Sequence, residues 1–133
     1  MALRGNKYKA NGNKNILESF KHAYDGINYS VVKERNMHIH LVMASLVIVF
    51  GVLFEISHAE WLACFILIGS VIALEMVNTA IELVVDMITT ENSEKAKAAK
   101  DVSAGAVLVM AVVAAAIGLI IFVPKIFWFL MNL

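Results

Sequence analysis

The chain has 133 residues, of which 60% are hydrophobic and 17% are charged, and its 11 basic and 11 acidic residues cancel. Ordinary soluble domains hold about 45–50% apolar residues, and a soluble domain this short buries only about 60–70% of its surface. The composition therefore excludes an ordinary soluble fold, and the zero net charge excludes a nucleic-acid binder that relies on bulk positive charge. The single cysteine, Cys64, excludes an internal disulfide and a cysteine-rich zinc site.

The N-terminal part of the chain divides into a tail and a helix. Residues 1–15 carry several basic side chains among glycine and asparagine, which predicts a basic flexible tail before a single membrane domain over 16–133. In residues 16–37 the apolar side chains recur every three or four positions, which predicts an amphipathic helix that rests on the membrane surface. These apolar side chains are Ile16, Phe20, Ala23, Tyr24, Ile27 and Val31.

Three apolar stretches follow, and each is long enough to cross the roughly 30 Å hydrocarbon layer as a helix. They predict membrane spans at about 39–56, 61–88 and 102–123, and we expect Pro124 to end the third. Alanine and glycine are frequent in the third stretch, which favours close helix packing in lipid. The sequence thus predicts an all-α membrane protein with an N-terminal amphipathic surface helix plus three transmembrane helices.

The positions of the basic residues predict the orientation of these helices. The segment Ser57–Glu60 between the first two spans has no Lys or Arg, whereas the N-terminal tail and the segment before the third span are basic. The positive-inside rule then places the tail and the second connection in the cytoplasm. Trp61 and the aromatic residues 127–129 would form a belt at the opposite face.

The second predicted span carries five polar residues at helical spacing: Glu75, Asn78, Thr79, Glu82 and Asp86. At about 100° per residue they fall in one stripe that is about 100° wide, so none of them needs to face lipid. An ionisable residue within a span is costly and is therefore a functional candidate by default. The stripe predicts a membrane-embedded acidic site that opens to the cytoplasm and narrows toward Glu75.

Other charged residues are expected on the same side of the membrane, namely Glu34 and the pair Lys100–Asp101. Carboxylates are ligands that suit Mg²⁺, and a lysine suits phosphate oxygens. The residues alone therefore predict a site for a divalent cation. A purely structural interpretation stays open, in which these groups join helices or flank the membrane in water.

Two segments of the chain resemble the prokaryotic diacylglycerol kinase family. Residues 75–86, EMVNTAIELVVD, resemble its E-x-x-N-[ST]-A-I-E-x-x-[VI]-D signature, and residues 99–108, AKDVSAGAVL, are similar to its A-K-D-x-x-[SA]-[AG]-A-V-L segment. The segment 34–40, ERNMHIH, following FKHAYDG at 20–26, resembles the Gram-positive branch of the family. Members of that branch are chiefly undecaprenol kinases.

The resemblance implies roles for the residues that match the family motifs. Glu75 matches the general base that takes the proton from the lipid hydroxyl, and Asn78 matches a second polar position important for catalysis. Glu34 and Glu82 match the carboxylates that hold Mg²⁺ together with ATP. Both of these glutamates are therefore expected to contact the metal and the nucleotide.

The resemblance also implies further nucleotide contacts, at Glu91, Lys100 and Asp101, and a further polar site residue at Asp86. The chain departs from the family pattern at two other nucleotide-contacting positions. Asn15 stands where many members have arginine, and His22 stands where tyrosine is usual.

As a whole, the resemblance implies a homotrimer in the bacterial cytoplasmic membrane, with active sites shared between neighbouring chains on the cytoplasmic side. The leading hypothesis is ATP-dependent phosphorylation of undecaprenol to undecaprenyl phosphate. An alternative is a diacylglycerol kinase that makes phosphatidic acid. Two alternatives of other classes are a proton-coupled transporter that uses Glu75 as a proton carrier and a small helical assembly subunit.

Overall fold

A computed structural model describes residues 16–89 and 93–132, so the predicted basic tail at 1–15 lies outside the described residues. Within the described ranges the chain forms four helices and no strand. These helices are α1 (Ile16–Lys33), α2 (Arg35–Leu53), α3 (His58–Ile88) and α4 (Glu94–Met131). Helices α2, α3 and α4 are long and apolar enough to cross a membrane, which agrees with the predicted all-α fold and its three candidate spans.

The break between the first two helices corrects the predicted boundary. The apolar pattern predicted a surface helix to residue 37 and a span from residue 39, but α1 ends at Lys33 and α2 begins at Arg35. Glu34 has an extended backbone with φ −98° and ψ 118°, while its N–H still donates to the Ser30 carbonyl over 3.0 Å. One residue therefore redirects the chain, and Met37 becomes a buried residue of α2.

The last helix corrects a second boundary, because α4 does not end at Pro124 but continues through it to Met131. Proline lacks an N–H and removes one hydrogen bond of the helix, a loss that neighbouring groups in membrane proteins can compensate. At about 1.5 Å per residue, the 38 residues of α4 extend about 57 Å, well beyond the hydrocarbon layer. The segment before the predicted third span is therefore partly helical, from Glu94 onward.

The α2–α3 turn closes one end of the bundle. Ser57 caps α3 through a capping box in which its Oγ accepts from Glu60 N–H over 3.3 Å and its N–H donates to the Glu60 carboxylate over 2.7 Å. Lys125 of α4 pairs with Glu60 over 3.2 Å and so joins α4 to this turn. A small core at this end contains Ile56, Cys64 and Ile121, so Cys64 is a packing residue.

The four helices differ in how closely they pack. Helices α3 and α4 form the most extensive pair, α2 packs along α3, and α1 touches both α2 and α3. The polar stripe of α3 faces these neighbours, while large apolar side chains on α2 and α4 remain exposed on the outside of the chain. Lipid or neighbouring copies of the chain would cover such apolar surfaces in a membrane.

Candidate functional site

The polar stripe of α3 runs from an exposed end to a buried end. The Asp86 side chain is exposed and Glu82 is half-buried, whereas Asn78 and Thr79 are each 4% exposed and Glu75 is 1% exposed. This gradient agrees with the predicted stripe that narrows toward Glu75. The deepest carboxylate is thus removed from water while the other end of the stripe remains open to it.

Glu75 lines a cavity between α2, α3 and α4. The cavity has a volume of about 200 Å³, and its walls combine polar and apolar side chains. They are Asn36, Ile39, His40, Glu75, Asn78, Ala104, Val107, Leu108 and Ala111. The polar lining side chains, including Glu75, therefore come from α2 and α3, and the wall formed by α4 is apolar.

The two carboxylate oxygens of Glu75 have different surroundings. Oε2 lies 4.0 Å from Nε2 of His40, which belongs to α2. Oε1 is buried and has no hydrogen-bond partner among residues 16–89 and 93–132. A buried acceptor without a partner is energetically costly, and such groups occur where a site awaits a ligand or a proton. Glu75 therefore lines the cavity and has one buried oxygen that lacks a hydrogen-bond donor within the described ranges.

Asn78 connects α4 to the next carboxylate of the stripe. Ser103 Oγ of α4 donates to Asn78 Oδ1 over 2.7 Å, and Asn78 Nδ2 donates to Glu82 Oε1 over 3.2 Å. Ser103 and Asn78 are both buried, at 7% and 4% exposure. This chain of hydrogen bonds fixes the amide between an uncharged donor and a carboxylate.

Thr79 connects the stripe to the first helix. Its Oγ1 donates to the Glu75 carbonyl over 3.0 Å and lies 3.3 Å from Ser30 Oγ of α1, where either hydroxyl can donate. Ser30 is only 2% exposed. Helix α1 is therefore fixed to α3 within one turn of Glu75.

Glu34 precedes α2, and Glu82 lies two helical turns after Glu75 on the same face of α3. Both are half-buried and offer the oxygen ligands that Mg²⁺ prefers. In the described part of the chain, no group of three or more His, Cys, Asp or Glu side chains is close enough to hold a metal ion. Mg²⁺ commonly binds one or two protein carboxylates and takes its remaining ligands from water and phosphate oxygens.

The predicted nucleotide-contacting residues Lys100 and Asp101 do not pair with each other. Lys100 Nζ of α4 donates to Asp86 of α3, and Asp101 pairs with Lys97 over 2.7 Å. Adjacent helical residues point in different directions, so the separate partners follow from the geometry of α4. Its contact with Asp86 places Lys100 at the open end of the stripe.

The prediction for Glu91 falls outside the described residues. His22, at a position where the chain departs from the family pattern, is exposed on α1. The spacing pattern did not single out His40, Ser30 or Ser103, because their importance depends on which helix faces which. The sequence offered only weak signals for these three residues. His40 is a histidine near the start of a span, and Ser30 and Ser103 are hydroxyl residues on helices that are otherwise exposed or apolar.

The chain is similar to known proteins over most of its length. Residues 21–122 match the family model described as prokaryotic diacylglycerol kinase. The undecaprenol kinase of Bacillus subtilis (strain 168) is 48% identical over 110 residues, which cover 83% of this chain and 89% of that protein. The diacylglycerol kinase of Synechocystis sp. is 37% identical over 114 residues, which cover 83% of this chain and 63% of that protein.

Proposed function

Because the chain belongs to the prokaryotic diacylglycerol kinase family and is a lipid kinase, we propose that it transfers the γ-phosphoryl group of ATP to undecaprenol. The product is then undecaprenyl phosphate. Support for undecaprenol comes from the relative of that name, which is 48% identical to the chain, against 37% for the diacylglycerol kinase. Phosphorylation of diacylglycerol is the alternative.

The observation that carries this proposal is that Glu75, whose buried Oε1 has no hydrogen-bond partner within the described ranges, lines a cavity with an apolar α4 wall. A lipid alcohol has an apolar chain and a single hydroxyl, which are the two properties that such a cavity can accommodate. Leu108 and Ala111 would contact the chain, while the hydroxyl would donate to Glu75. The lipid would enter from the membrane, and ATP would enter from the open end of the stripe.

In the proposed reaction Glu75 acts as the general base. Its carboxylate takes the proton of the lipid hydroxyl as the lipid oxygen forms a bond to the γ-phosphorus. The bond between the γ-phosphorus and the bridging oxygen breaks, and ADP leaves with that oxygen. Phosphoryl transfer depends mainly on positioning and charge neutralisation, so no soluble nucleotide-binding fold is required.

The residues near the open end of the stripe would bind the nucleotide. Glu34 and Glu82 would hold Mg²⁺, which when bound would neutralise charge on the phosphate oxygens. Lys100 would exchange its partner Asp86 for a phosphate oxygen. Asn78 would hold Glu82, and Asp101 and Glu91 would contact the nucleotide as the family resemblance implies.

We further propose that the site faces the cytoplasm, where ATP is present, and that the protein is a homotrimer with shared sites in the bacterial cytoplasmic membrane. The asymmetry of basic residues supports this orientation. Helix α1, with apolar residues at helical spacing, would lie on the cytoplasmic membrane surface. The exposed apolar faces of α2 and α4 leave room for contacts between copies.

The purified protein in mixed micelles with γ-labelled ATP and Mg²⁺ tests the proposal, with undecaprenol and diacylglycerol offered in parallel. We expect label in undecaprenyl phosphate and at least about tenfold less in phosphatidic acid, a difference of about 1.4 kcal/mol in transition-state binding. Preference for diacylglycerol would establish the alternative substrate. If neither lipid became labelled, both the proposed substrate and the alternative would be contradicted.

A further inference from the structure

We propose that Ser103 is a positioning residue for the nucleotide end of the site, because its hydroxyl orients Asn78 and thereby holds Glu82. The inference rests on the proposed function, in which Glu82 binds the metal and nucleotide. Ser103 lies in α4, one turn of helix after Lys100 and outside the polar stripe of α3. Its role would follow from the contact between the two helices.

Two hydrogen-bonding neighbours, Glu82 and Ser103, fix the orientation of the Asn78 amide. A carboxylate only accepts hydrogen bonds, so Asn78 must turn its Nδ2 toward Glu82, where the distance to Oε1 is 3.2 Å. The opposite end of the amide, Oδ1, then faces Ser103 Oγ at 2.7 Å. A reversed amide would place Oδ1 against the carboxylate, which is repulsive. The hydroxyl of Ser103 therefore supplies the donor that the correct orientation requires.

Asn78 and Ser103 form a buried pair. Asn78 and Ser103 are 4% and 7% exposed, so water has little access to Oδ1 if the hydroxyl is removed. The Ser103 hydroxyl also lies 2.9 Å from the Lys100 carbonyl, but it has one proton and can satisfy one acceptor fully. Loss of the hydroxyl would leave the amide oxygen buried and unsatisfied, which favours other rotamers of Asn78.

The hydrogen bond from Asn78 to Glu82 connects the amide to the charged groups of the site. Glu82 lies on one face of α3 between Glu75, two turns before it, and Asp86, one turn after it, which pairs with Lys100. A carboxylate between these groups must keep one rotamer to bind a metal-bound phosphate. Without the hydrogen bond from Asn78, Glu82 would keep its charge, but its side chain would occupy several rotamers. The effect should therefore fall on nucleotide and metal affinity more than on lipid affinity.

The test compares Ser103→Ala with Ser70→Ala in the full-length protein, assayed in mixed micelles with undecaprenol. Ser70 provides a matched control, because its hydroxyl donates to the Ile66 carbonyl of its own helix over 2.7 Å. We expect Ser103→Ala to raise the KM for MgATP about tenfold and to leave the KM for undecaprenol unchanged. Ser70→Ala should leave both unchanged, and Ser103→Thr should restore the MgATP KM.

Two further measurements separate positioning from a structural role. The double variant Ser103→Ala/Asn78→Ala should have the same MgATP KM as Asn78→Ala, because residues that act through one another are not additive. Electron paramagnetic resonance should show weaker Mn²⁺ binding by Ser103→Ala in the presence of a non-hydrolysable ATP analogue. Additive effects, or a lower melting temperature without a change in MgATP KM, would overturn the inference.

The two proposals can fail separately. If the wild-type protein phosphorylates no lipid but binds Mn²⁺ and nucleotide, the proposed function is wrong while the binding measurement still tests Ser103. If lipid is phosphorylated and Ser103→Ala binds Mn²⁺ as the wild type does, only the role of Ser103 is wrong. If the wild type neither transfers phosphate nor binds Mn²⁺ with nucleotide, both are wrong.

Discussion

The Nε2 atom of His40 lies 4.0 Å from Oε2 of Glu75, where α2 meets the buried end of the polar stripe. The other oxygen of the same carboxylate, Oε1, is buried without a hydrogen-bond partner within the described ranges, and Glu75 lines the cavity. A basic ring on one side of a carboxylate favours an orientation that leaves the second oxygen for a substrate. The contact therefore makes His40 a candidate for orienting the Glu75 carboxylate.

Replacement of Glu75 by glutamine should abolish the transfer of phosphate. The amide has nearly the shape of the carboxylate but cannot take the proton of the lipid hydroxyl, and general base catalysis contributes about 10²–10⁴-fold in rate. We expect kcat to fall by at least about 100-fold, measured with labelled ATP and undecaprenol. An unchanged melting temperature would show that the variant is folded. Activity within tenfold of wild type would exclude Glu75 as the base.

Replacement of His40 by leucine should reduce kcat by about tenfold, a smaller loss than that of Glu75→Gln because the base itself remains. The KM for MgATP should not change, since His40 lines the cavity that is proposed to hold the lipid. His40→Gln keeps an N–H donor at similar reach and should recover most of the activity. His58→Leu is a control, because His58 is exposed at the start of α3. Equal activities of all three variants would contradict a role for His40.

Replacement of Lys100 by methionine should raise the KM for MgATP by about tenfold or more, because a charged hydrogen bond to phosphate is lost. Its ion pair with Asp86 is partly exposed to water, with the two side chains 35% and 62% exposed. Such pairs contribute little to stability, so the melting temperature should change little. Lys95→Met is the matched control on the same helix, with an exposed side chain. Equal KM values for the two variants would contradict a nucleotide contact at Lys100.

The stripe and the spans were predictable from the sequence because they depend on spacing and length along one helix. Glu75 could be placed on a buried face for that reason, and the structure agrees. The break at Glu34 was not predictable, since no glycine, proline or capping residue marks it. The continuation of α4 through Pro124 depends on its membrane surroundings. The contacts of His40 and Ser103 depend on how α2 and α4 pack on α3, which spacing within one helix does not determine.

The close contact between α2 and α3 at the turn end of the bundle predicts opposite effects of two glycine substitutions on stability. A Cβ at Gly51 would lie 2.6 Å from Cη2 and 2.8 Å from Cζ2 of Trp61, so the indole ring would have to move. Such overpacking costs about 1–3 kcal/mol. At Gly69 of α3 a Cβ would meet no neighbouring group within 4 Å, so alanine there should gain up to about 1 kcal/mol of helix propensity.

Thermal unfolding in detergent should therefore show a lower melting temperature for Gly51→Ala and an equal or higher one for Gly69→Ala. The two clashing atoms belong to the part of the indole that phenylalanine lacks, so Gly51→Ala in a Trp61→Phe background should cost less than in the wild type. Because this contact is made at the turn end of the bundle, lipid phosphorylation below the melting temperature should be nearly unchanged. An equal cost in both backgrounds would show that Trp61 does not limit the space at Gly51.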